Sequence, residues 1–426
     1  MTTVVVVGGG MAGVACAAEL GRHGAQVVLF DRNDYLQFQP LLYQVASAQL
    51  PAEDVARPLA AVFAGVASVS VSQTEVTGVD PAARSISTAD GEVQADHLVL
   101  AAGSQPNFFA VPGAAAHSFP LYSVVDAERL RLHLRDELRT GDSPATAAPA
   151  LTVVVVGGGP TGVETAGAIA ELFAALRGRH LLDREARVHL VDHGASLLAP
   201  FSDKSHRYAH DTLAALGVTV TLGVAVAGVD PDGVTLSDGT RLSTRTVIWA
   251  GGESASPVAA TGRLPQGRGG RIDVAADLSV PGFAGVWAIG DIANIPGADG
   301  KALPQLGSVA EQSGKWVARN VMAVMKGHAP SPFHYRDKGI MAMIGRNAAV
   351  AEIGVHRHQV EGPIAFAAWL GLHSLLLNGV HSRVDAFLNW ADDYFHHDRA
   401  ADLELSGTPS RIAWADDDAD RPTIQA

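Results

Sequence analysis

The sequence is poor in cysteine and in basic residues, and each deficit excludes a class of protein. Cys16 is the one cysteine among 426 residues, which excludes an intramolecular disulfide, a catalytic dithiol and a cysteine-rich metal or iron–sulfur site. The 31 lysines and arginines are outnumbered by 44 acidic residues, and the net charge of −13 argues against nucleic acid as a partner. We expect no metal site, and a single thiol suits a reducing compartment.

Long apolar runs and a basic leader are also missing. No stretch offers about 18 uncharged, strongly apolar residues, so we expect no membrane-spanning helix. The opening segment has no basic region before its short apolar run, which ends in glycines, so we expect no signal peptide. Apolar residues nevertheless make up 47% of the chain, enough to bury a large core and to exclude a disordered protein.

The sequence contains the same series of motifs twice. VVVVGGGMAG at Val4–Gly13 recurs as VVVVGGGPTG at Val153–Gly162, and LVLAAG at Leu98–Gly103 recurs as VIWAGG at Val247–Gly252. Two further motifs recur at nearly the same distance along the chain. VTGVDP recurs as VAGVDP, and an Asp-Gly pair recurs as a second Asp-Gly pair. Landmarks that stay in register over this length indicate a duplicated domain.

Each copy has the pattern of a βαβ unit: a β-branched run, a Gly-rich turn, an Ala/Leu-rich helix and a second parallel strand. The predicted fold class is therefore α/β, with two Rossmann-like dinucleotide-binding domains and a C-terminal α+β section with amphipathic helices. The predicted strands are Val4–Val7, Val27–Phe30, Val153–Val156 and Val188–Val191, and the predicted helices are Ala12–Arg22, Asp126–Arg139, Gly162–Leu176 and roughly Gln305–Lys326.

Both copies carry the features that bind a dinucleotide. Glycines let the backbone approach the pyrophosphate, the helix N-terminus presents N–H groups to it, and an acid at the end of the next strand bonds a ribose. These residues are Gly8, Gly10, Gly13 and Asp31 in the first copy and Gly157, Gly159, Gly162 and Asp192 in the second. Asp192 would repel a 2′-phosphate and no arginine follows it immediately, which favours NADH over NADPH.

Two dinucleotide sites in one chain imply two redox carriers, one of them a bound flavin. A strand that ends in Gly290-Asp291 places a carboxylate where the ribityl chain of the flavin can be bonded. The helix that follows near Gln305 can direct its N-terminal dipole at the flavin pyrimidine. This order of features assigns the flavin to the first copy.

With these motifs the sequence resembles the two-dinucleotide-binding-domain flavoprotein reductases. More narrowly, it is similar to the type II NADH:quinone oxidoreductases over about its first 400 residues. The matching stretches are Asp31–Ser47, Gly157–Leu172, Ala276–Ala293, Leu303–Asn320 and Tyr335–Gly354. Other members of the superfamily use redox cysteines that are absent here, so electrons would leave the flavin directly. Cys16 lies in the predicted first helix, where we expect it to act as a small apolar residue and not as a redox thiol.

The resemblance implies a pyridine nucleotide-disulfide reductase-like fold in which different regions of the chain bind the two cofactors. FAD would bind to residues 1–115 and 270–330 and NADH to residues 116–269. Residues 331–405 would form a membrane or dimer section, and 406–426 an acidic tail that we expect to be disordered. The cofactor-binding set implied by the motifs also includes Met11, Ala12, Arg32, Gln44, Ala102, Gly103, Pro160, Thr161, Gly251 and Gly290.

The resemblance further implies an enzyme that passes two electrons from NADH through FAD to a quinone, menaquinone or ubiquinone, without pumping protons. It would be a homodimer on the cytoplasmic side of the cell membrane, or else cytoplasmic. Glu164 and Gln312 are the candidate catalytic residues, Glu164 near the nicotinamide and the route to the quinone, Gln312 near a quinone carbonyl. The plainer interpretations are an acid in the first helical turn that is stabilised by the dipole, and an exposed helix glutamine.

The C-terminal section offers the candidate membrane contact. Pro363–Leu377 is apolar but too short to span a bilayer, and the next stretch, from Val380 to Phe395, has an apolar stripe at helical spacing. Its opposite face is acidic, whereas an interfacial helix usually has a basic one, so packing on the core or a partner subunit is the alternative.

Two other functions stay open at this stage. One is a soluble FAD-dependent NAD(P)H reductase of a protein or small soluble acceptor, which the acidic tail and the serines Ser308 and Ser313 in the quinone helix support. The other is a redox-sensing flavoprotein of the apoptosis-inducing-factor type. Slow NADH oxidation with a long-lived charge-transfer complex would favour the latter.

Overall fold

The structure, a computed structural model, describes residues 2–140, 150–298, 300–354, 356–377, 384–386 and 388–390. The chain forms two compact units. Unit 1 comprises 1–37, 56–105 and 253–337, and unit 2 comprises 38–55, 106–252 and 338–426. These boundaries are structural; the division into FAD and NADH domains at 115/116 and 269/270 stays a prediction.

Unit 1 is built on a parallel sheet of five strands. Their order is Val286–Ala288, His97–Leu100, Thr3–Val7, Gln26–Asp31 and Val69–Gln73. Val4, Val5 and Val6 in the central strand are fully buried, as a strand covered on both faces requires. The helices of unit 1 are Met11–Arg22, Leu59–Val62, Val258–Thr261 and Gly307–Met325, and a three-stranded antiparallel sheet consists of Val76–Asp80, Ser85–Thr88 and Gly91–Gln94.

Unit 2 repeats this plan. Its parallel sheet has the order Phe119–Pro120, Thr246–Trp249, Leu151–Val156, Ala186–Asp192 and Val218–Leu222. Its antiparallel sheet consists of Val226–Asp230, Gly233–Leu236 and Arg241–Ser243. The helices are Leu42–Ala46, Ala52–Val55, Ala114–His117, Val124–Thr140, Pro160–Gly178, Asp203–Ala215 and Pro363–Leu376. The predicted α/β class with two Rossmann-like domains is confirmed.

Short elements complete the two units. Strands Tyr35–Gln37 and Ala56–Pro58 pair antiparallel, Ile272–Asp273 and Ala293–Asn294 pair parallel, and Ser104–Pro106 pairs with Glu253–Ala255. Single turns of 3₁₀-helix cover Gln39–Leu41, Arg268–Gly270 and Gly290–Ile292.

The C-terminal section of unit 2 begins with a three-stranded antiparallel sheet, Gly339–Gly345, Ala348–Ile353 and His358–Glu361. The Pro363–Leu376 helix follows it. The predicted helical stripe from Val380 to Phe395 lies mostly outside the described residues, within which 384–386 and 388–390 are helical. The predicted tail 406–426 also lies outside them. In the part of the chain that is described, no helix has both the length and the apolar character needed to cross a membrane.

Candidate functional site

The first Gly-rich turn joins the Thr3–Val7 strand to the Met11–Arg22 helix. Gly8 has a φ of +109°, and a Cβ on it would lie 2.3 Å from the carbonyl oxygen of Ala101. A Cβ on Gly13 would lie 1.8 Å from the carbonyl oxygen of Gly8. By contrast, no atom of the described residues lies within 4 Å of a Cβ built on Gly10, the residue before the helix. The N-terminal amides of the helix therefore face an open approach of the kind a pyrophosphate requires.

The second Gly-rich turn, between Leu151–Val156 and Pro160–Gly178, reproduces these dimensions. Gly157 has a φ of +115°, and its Cβ would lie 2.3 Å from the carbonyl oxygen of Ala250. A Cβ on Gly162 would lie 1.8 Å from the carbonyl oxygen of Gly157. Gly159 again precedes the helix and has no described atom within 4 Å of a built Cβ. Each unit thus carries a complete phosphate-binding turn of its own.

The strand-end acids hold these turns. Asp31 accepts the Gly9 N–H at 2.5 Å and the Asn33 N–H at 2.8 Å. In unit 2, Asp192 accepts the N–H groups of Gly158 and Gly194 in the same way. An ionised carboxylate has about four acceptor positions, so each of these acids can also accept ribose hydroxyls.

Asp291 lies in the Gly290–Ile292 turn, directly after the sheet strand Val286–Ala288. The Gly290 N–H donates to Ser313 Oγ at 3.1 Å, and Gln305 Nε2 donates to the carbonyl oxygen of Asp291 at 3.2 Å, which together fix the turn. The carboxyl group is buried, and no described residue donates a hydrogen bond to its Oδ1. Burial raises the pKa of Asp291 to about 7. A buried acceptor without a donor needs an explanation, and the hydroxyl groups of a ribityl chain supply one.

The other predicted cofactor residues surround these two sets. A Cβ on Gly290 would lie 2.8 Å from Ala12 Cβ, and one on Gly307 would lie 2.9 Å from Met11 Cε, so Met11 and Ala12 face the Asp291 turn and the helix after it. Arg32 is exposed. The remaining ones follow the sheet strands or open the second helix: Ala102, Gly103, Pro160, Thr161 and Gly251.

Gln44 has different surroundings from the other predicted cofactor residues. It lies in the Leu42–Ala46 helix of unit 2 and is buried. Its Nε2 donates to Tyr43 Oη at 3.0 Å, and its Oε1 accepts from Trp390 Nε1 at 2.8 Å. The amide therefore belongs to a network of side chains in unit 2.

Glu164 is buried in the middle of unit 2. The expectation that it lies in the first helical turn is wrong, because the helix begins at Pro160 and has no acid in that turn. Its Oε1 accepts the N–H of Met343 at 3.1 Å. Burial raises the pKa of Glu164 to about 8, although the Met343 N–H and the Trp369 indole both act to lower it. Glu164 is therefore a carboxylic acid that keeps its proton at neutral pH.

An aromatic cluster lies beside Glu164 and was not predicted. Tyr43 Oη donates to Met343 Sδ at 3.3 Å, and the ring of Tyr43 meets Trp369 edge-on. The Trp369 indole also stacks on His373 at 3.8 Å. Burial lowers the pKa of His373 to about 4, so this ring is neutral at physiological pH. The tryptophan is in an apolar stretch that the sequence assigns to a membrane contact, and nothing in its spacing marks it as buried.

The side-chain amide of Gln312 forms hydrogen bonds with the backbone of Arg336. Its Oε1 accepts the Arg336 N–H at 3.0 Å, and its Nε2 donates to the Arg336 carbonyl oxygen at 3.1 Å. Ser308, one turn earlier, is 2.8 Å from Tyr335 Oη. In unit 1 these two side chains hold the segment around Arg336 to the Gly307–Met325 helix, and a quinone contact of Gln312 stays a prediction.

Glu253 is a further residue that the sequence reasoning missed. It lies on the Glu253–Ala255 strand of unit 1, accepts the Ser104 hydroxyl at 2.5 Å, and its charge raises the pKa of Asp291. The duplication could have pointed to Glu253, because Glu253 follows Gly252 in the second copy as Ser104 follows Gly103 in the first.

Comparisons with known proteins agree with this geometry. A family model, pyridine nucleotide-disulphide oxidoreductase, matches residues 2–314. The type II NADH:quinone oxidoreductase Ndh of Mycobacterium tuberculosis is 36% identical over 408 residues, which cover 91% of this chain and 87% of that protein. Its relative NdhA from the same organism is 32% identical over 91% of this chain and 86% of its own length. The structure of NDH2 from Plasmodium falciparum in complex with NADH superposes with a TM-score of 0.84 at 18% identity, covering 93% of this chain and 98% of that one.

Proposed function

The chain belongs to the type II NADH:quinone oxidoreductases, within the pyridine nucleotide-disulphide oxidoreductase family, and we propose how its residues perform that reaction. It is an FAD-dependent enzyme that oxidises NADH and reduces a quinone. Two observations support the assignment of this reaction to particular residues. Each unit has a complete dinucleotide-binding turn, and unit 1 also has the buried Asp291 Oδ1, to which no described residue donates a hydrogen bond. The soluble-acceptor and redox-sensor alternatives are not favoured.

FAD is held by unit 1 in this proposal. The amides after Gly10 bind its pyrophosphate, Asp31 bonds the adenosine ribose and Asp291 accepts a ribityl hydroxyl. The Gly307–Met325 helix has no acid in its first turn, so its N-terminal dipole is available to the flavin pyrimidine. When bound, FAD accepts a hydride from NADH and passes two electrons on to the quinone.

NADH is held by the second turn, in unit 2. The amides after Gly159 bind its pyrophosphate, and Asp192 accepts the hydroxyls of the adenosine ribose. The same carboxylate repels a 2′-phosphate, so NADH is the preferred donor over NADPH.

Reduction of a quinone also consumes two protons, and we propose that Glu164 supplies one of them. A carboxyl with a pKa of about 8 holds its proton at neutral pH and gives it up readily to a stronger base. The Met343 N–H bond keeps one carboxyl oxygen in a fixed orientation. We assign Glu164 the role of general acid on the quinone side and Gln312 that of a contact to a quinone carbonyl.

Cys16 takes no part in the electron path. Its side chain is fully buried in the Met11–Arg22 helix, and burial raises the pKa of the thiol far above its usual range. A thiol of this kind is neither a thiolate nor accessible to a second sulfur. The quinone therefore takes its electrons from the flavin without an intermediate sulfur.

Attachment to the membrane surface rests on one face of the Pro363–Leu376 helix. Ala365 and Trp369 are buried, whereas Ile364 and Leu375 are 74% and 67% exposed, and Leu372 and Leu376 are exposed as well. This apolar face suits the headgroup boundary of a bilayer. We place the enzyme on the cytoplasmic side of the membrane, with a homodimer as its oligomeric state.

Anaerobic reduction and reoxidation test this function. NADH is expected to bleach the bound flavin of the purified protein, and either menaquinone or ubiquinone to restore its colour, whereas a sample without quinone stays bleached. Flavin that NADH reduces but neither quinone reoxidises would contradict the assignment. The relative rates with the two quinones identify the acceptor.

A further inference from the structure

One aromatic side chain projects from unit 2 at the carboxyl edge of its parallel sheet. Of the phenylalanines that the structure describes, only Phe109 is exposed, and 60% of its surface is accessible. The tip of its ring lies beside Gly252, since a Cβ built on this glycine would be 3.3 Å from Phe109 Cζ. Gly252 follows the Thr246–Trp249 strand closely, so the ring lies where that strand leaves the sheet.

The segment that carries Phe109 is bonded to the same strand end. The Asn107 N–H donates to the Gly252 carbonyl oxygen at 3.0 Å, and Trp249 Nε1 donates to the Asn107 carbonyl oxygen at 2.8 Å. The Phe109 N–H donates to Asn107 Oδ1 at 2.9 Å. The ring of Phe108 packs inward against Trp249. Hydrogen bonds and packing therefore hold the segment in place and leave the Phe109 ring outside.

The backbone at Phe109 has a conformation that residues other than glycine rarely adopt. Phe109 has a φ of +51°, and Ala110 has a φ of +55°. Two successive residues with side chains in the left-handed region are disfavoured, and such strain is concentrated at functional sites. The exposed ring is also left in water, where it contributes no burial energy. Neither feature stabilises the protein by itself, which favours a role in binding.

The strand order in unit 2 indicates which part of a bound dinucleotide lies near this ring. Asp192, which bonds the adenosine ribose in the proposed function, ends the strand on one side of Leu151–Val156. The turn that binds the pyrophosphate follows Leu151–Val156 itself. The neighbour on the other side is Thr246–Trp249. Because a dinucleotide lies across the point where the strand order reverses, its nicotinamide half extends over the end of Thr246–Trp249.

We propose that Phe109 is a substrate-binding residue whose ring packs against the nicotinamide ring of NADH. The proposal rests on the placement of NADH at the second Gly-rich turn. An aromatic side chain suits the uncharged, flat nicotinamide of NADH, from which it excludes water. The nicotinamide of NAD⁺ is a cation, which the face of a phenyl ring also attracts. Phe109 therefore contributes to the binding of both NADH and NAD⁺, and it transfers no proton or electron.

ADP-ribose distinguishes a contact to nicotinamide from a general effect on the site, because it has the adenosine, pyrophosphate and second ribose of NADH but no nicotinamide. The test is stopped-flow reduction of the bound flavin by NADH in the holoprotein, with NAD⁺ or ADP-ribose as the competitor. For Phe109→Ala we expect the Kd for NADH and the inhibition constant of NAD⁺ to rise about three- to tenfold. The inhibition constant of ADP-ribose should be that of the wild type.

Two further variants serve as controls. Phe109→Tyr keeps the aromatic ring, and we expect it to bind all three molecules as the wild type does. Leu181→Ala removes an exposed apolar side chain elsewhere in the same unit and should also leave all three constants unchanged.

Three outcomes would overturn the proposal. An unchanged Kd for NADH in Phe109→Ala would remove the ring from the nicotinamide site. Weaker binding of ADP-ribose in that variant, in step with NAD⁺, would leave Phe109 only a structural role. A wild type whose flavin NADH reduces at a rate that ADP-ribose does not lower would overturn the proposed NADH site on the second turn, and this inference with it.

Discussion

At the scale of single residues, burial decides what the acids of this protein do. Burial raises the pKa of Glu164 to about 8 and that of Asp291 to about 7, whereas Asp31 and Asp192 accept hydrogen bonds from backbone N–H groups. The sequence locates all four carboxyl groups but gives none of their pKa values, since a pKa depends on which atoms from distant parts of the chain surround the group.

Glu164→Gln tests the general acid. We expect quinone reduction to slow by at least about tenfold, because acid catalysis contributes that much or more. Reduction of the flavin by NADH and the flavin content are expected to stay unchanged. In the wild type the quinone step weakens as the pH rises through about 8, where Glu164 loses its proton, and in the variant it does not. Stopped-flow measurement of the two half-reactions from pH 6 to 9 checks this, and unchanged kinetics would remove Glu164 from the mechanism.

Asp192→Asn tests the choice of nucleotide. The amide keeps the size of the side chain but loses the charge that bonds ribose hydroxyls and repels a 2′-phosphate. We expect the KM for NADH to rise by about tenfold or more, since hydrogen bonds to a charged group contribute about 1.5–3 kcal/mol. The KM for NADPH should fall or hold. Steady-state kinetics with both nucleotides measure the ratio, and an unaltered ratio would assign Asp192 only to holding its turn.

At the scale of elements, the Pro160–Gly178 helix docks on the edge of the C-terminal sheet. Glu164 accepts the Met343 N–H, and Glu171, two turns later, accepts the Arg346 N–H at 2.5 Å. Gly167 lies between them, where a Cβ would be 1.8 Å from the carbonyl oxygen of Ile344. The helix thus supplies acceptors to Met343 in the edge strand Gly339–Gly345 and to Arg346, which follows that strand.

Gly167→Ala tests this close approach. A methyl group at this point forces the helix and the strand apart, and we expect a loss of about 1–3 kcal/mol in the free energy of unfolding, as for other overpacked sites. Gly178→Ala is the matched control, because this glycine ends the same helix and no described atom lies within 4 Å of its built Cβ. That variant should be neutral or slightly stabilised. Thermal unfolding of the two holoproteins compares them, and equal Tm values would refute the contact.

The sequence predicts elements better than it predicts contacts between them. The strands Thr3–Val7 and Leu151–Val156 and the helices after them were found because β-branched runs, glycines and duplication all agree. The sequence predicts that the second helix begins at Gly162, with Glu164 in its first turn. The helix begins at Pro160 instead, because proline suits the first helical position, and Glu164 therefore lies beyond the first turn. The link from Trp390 through Gln44 to Tyr43 joins distant residues, and local patterns carry no information about it.

At the scale of the whole molecule, the net charge of −13 and the exposed apolar helix act in opposite directions at a membrane. Anionic lipid repels a chain of this net charge, so we expect the free energy of membrane binding to come from apolar side chains. We therefore expect binding to zwitterionic vesicles that survives high salt, and weaker binding to anionic vesicles at low salt.

Replacing Ile364 and Leu375 together by glutamine tests the membrane contact. Flotation with vesicles should show the double variant released, because it loses two of the most exposed apolar side chains of the helix. Reduction of a water-soluble quinone should stay intact. Leu181→Gln, at another exposed apolar position, is expected to bind as the wild type does. Equal flotation of all three proteins would place the contact elsewhere.

The burial of Cys16 has a practical consequence. Because the Cys16 thiol is buried and protonated, we expect the native protein not to react with maleimides. A cysteine introduced on the surface is then the single site of labelling. Fluorophores or spin labels can be introduced at chosen sites, beginning with Asp90→Cys, without first deleting native thiols. The enzyme can then be followed by distance-sensitive spectroscopy while it turns over.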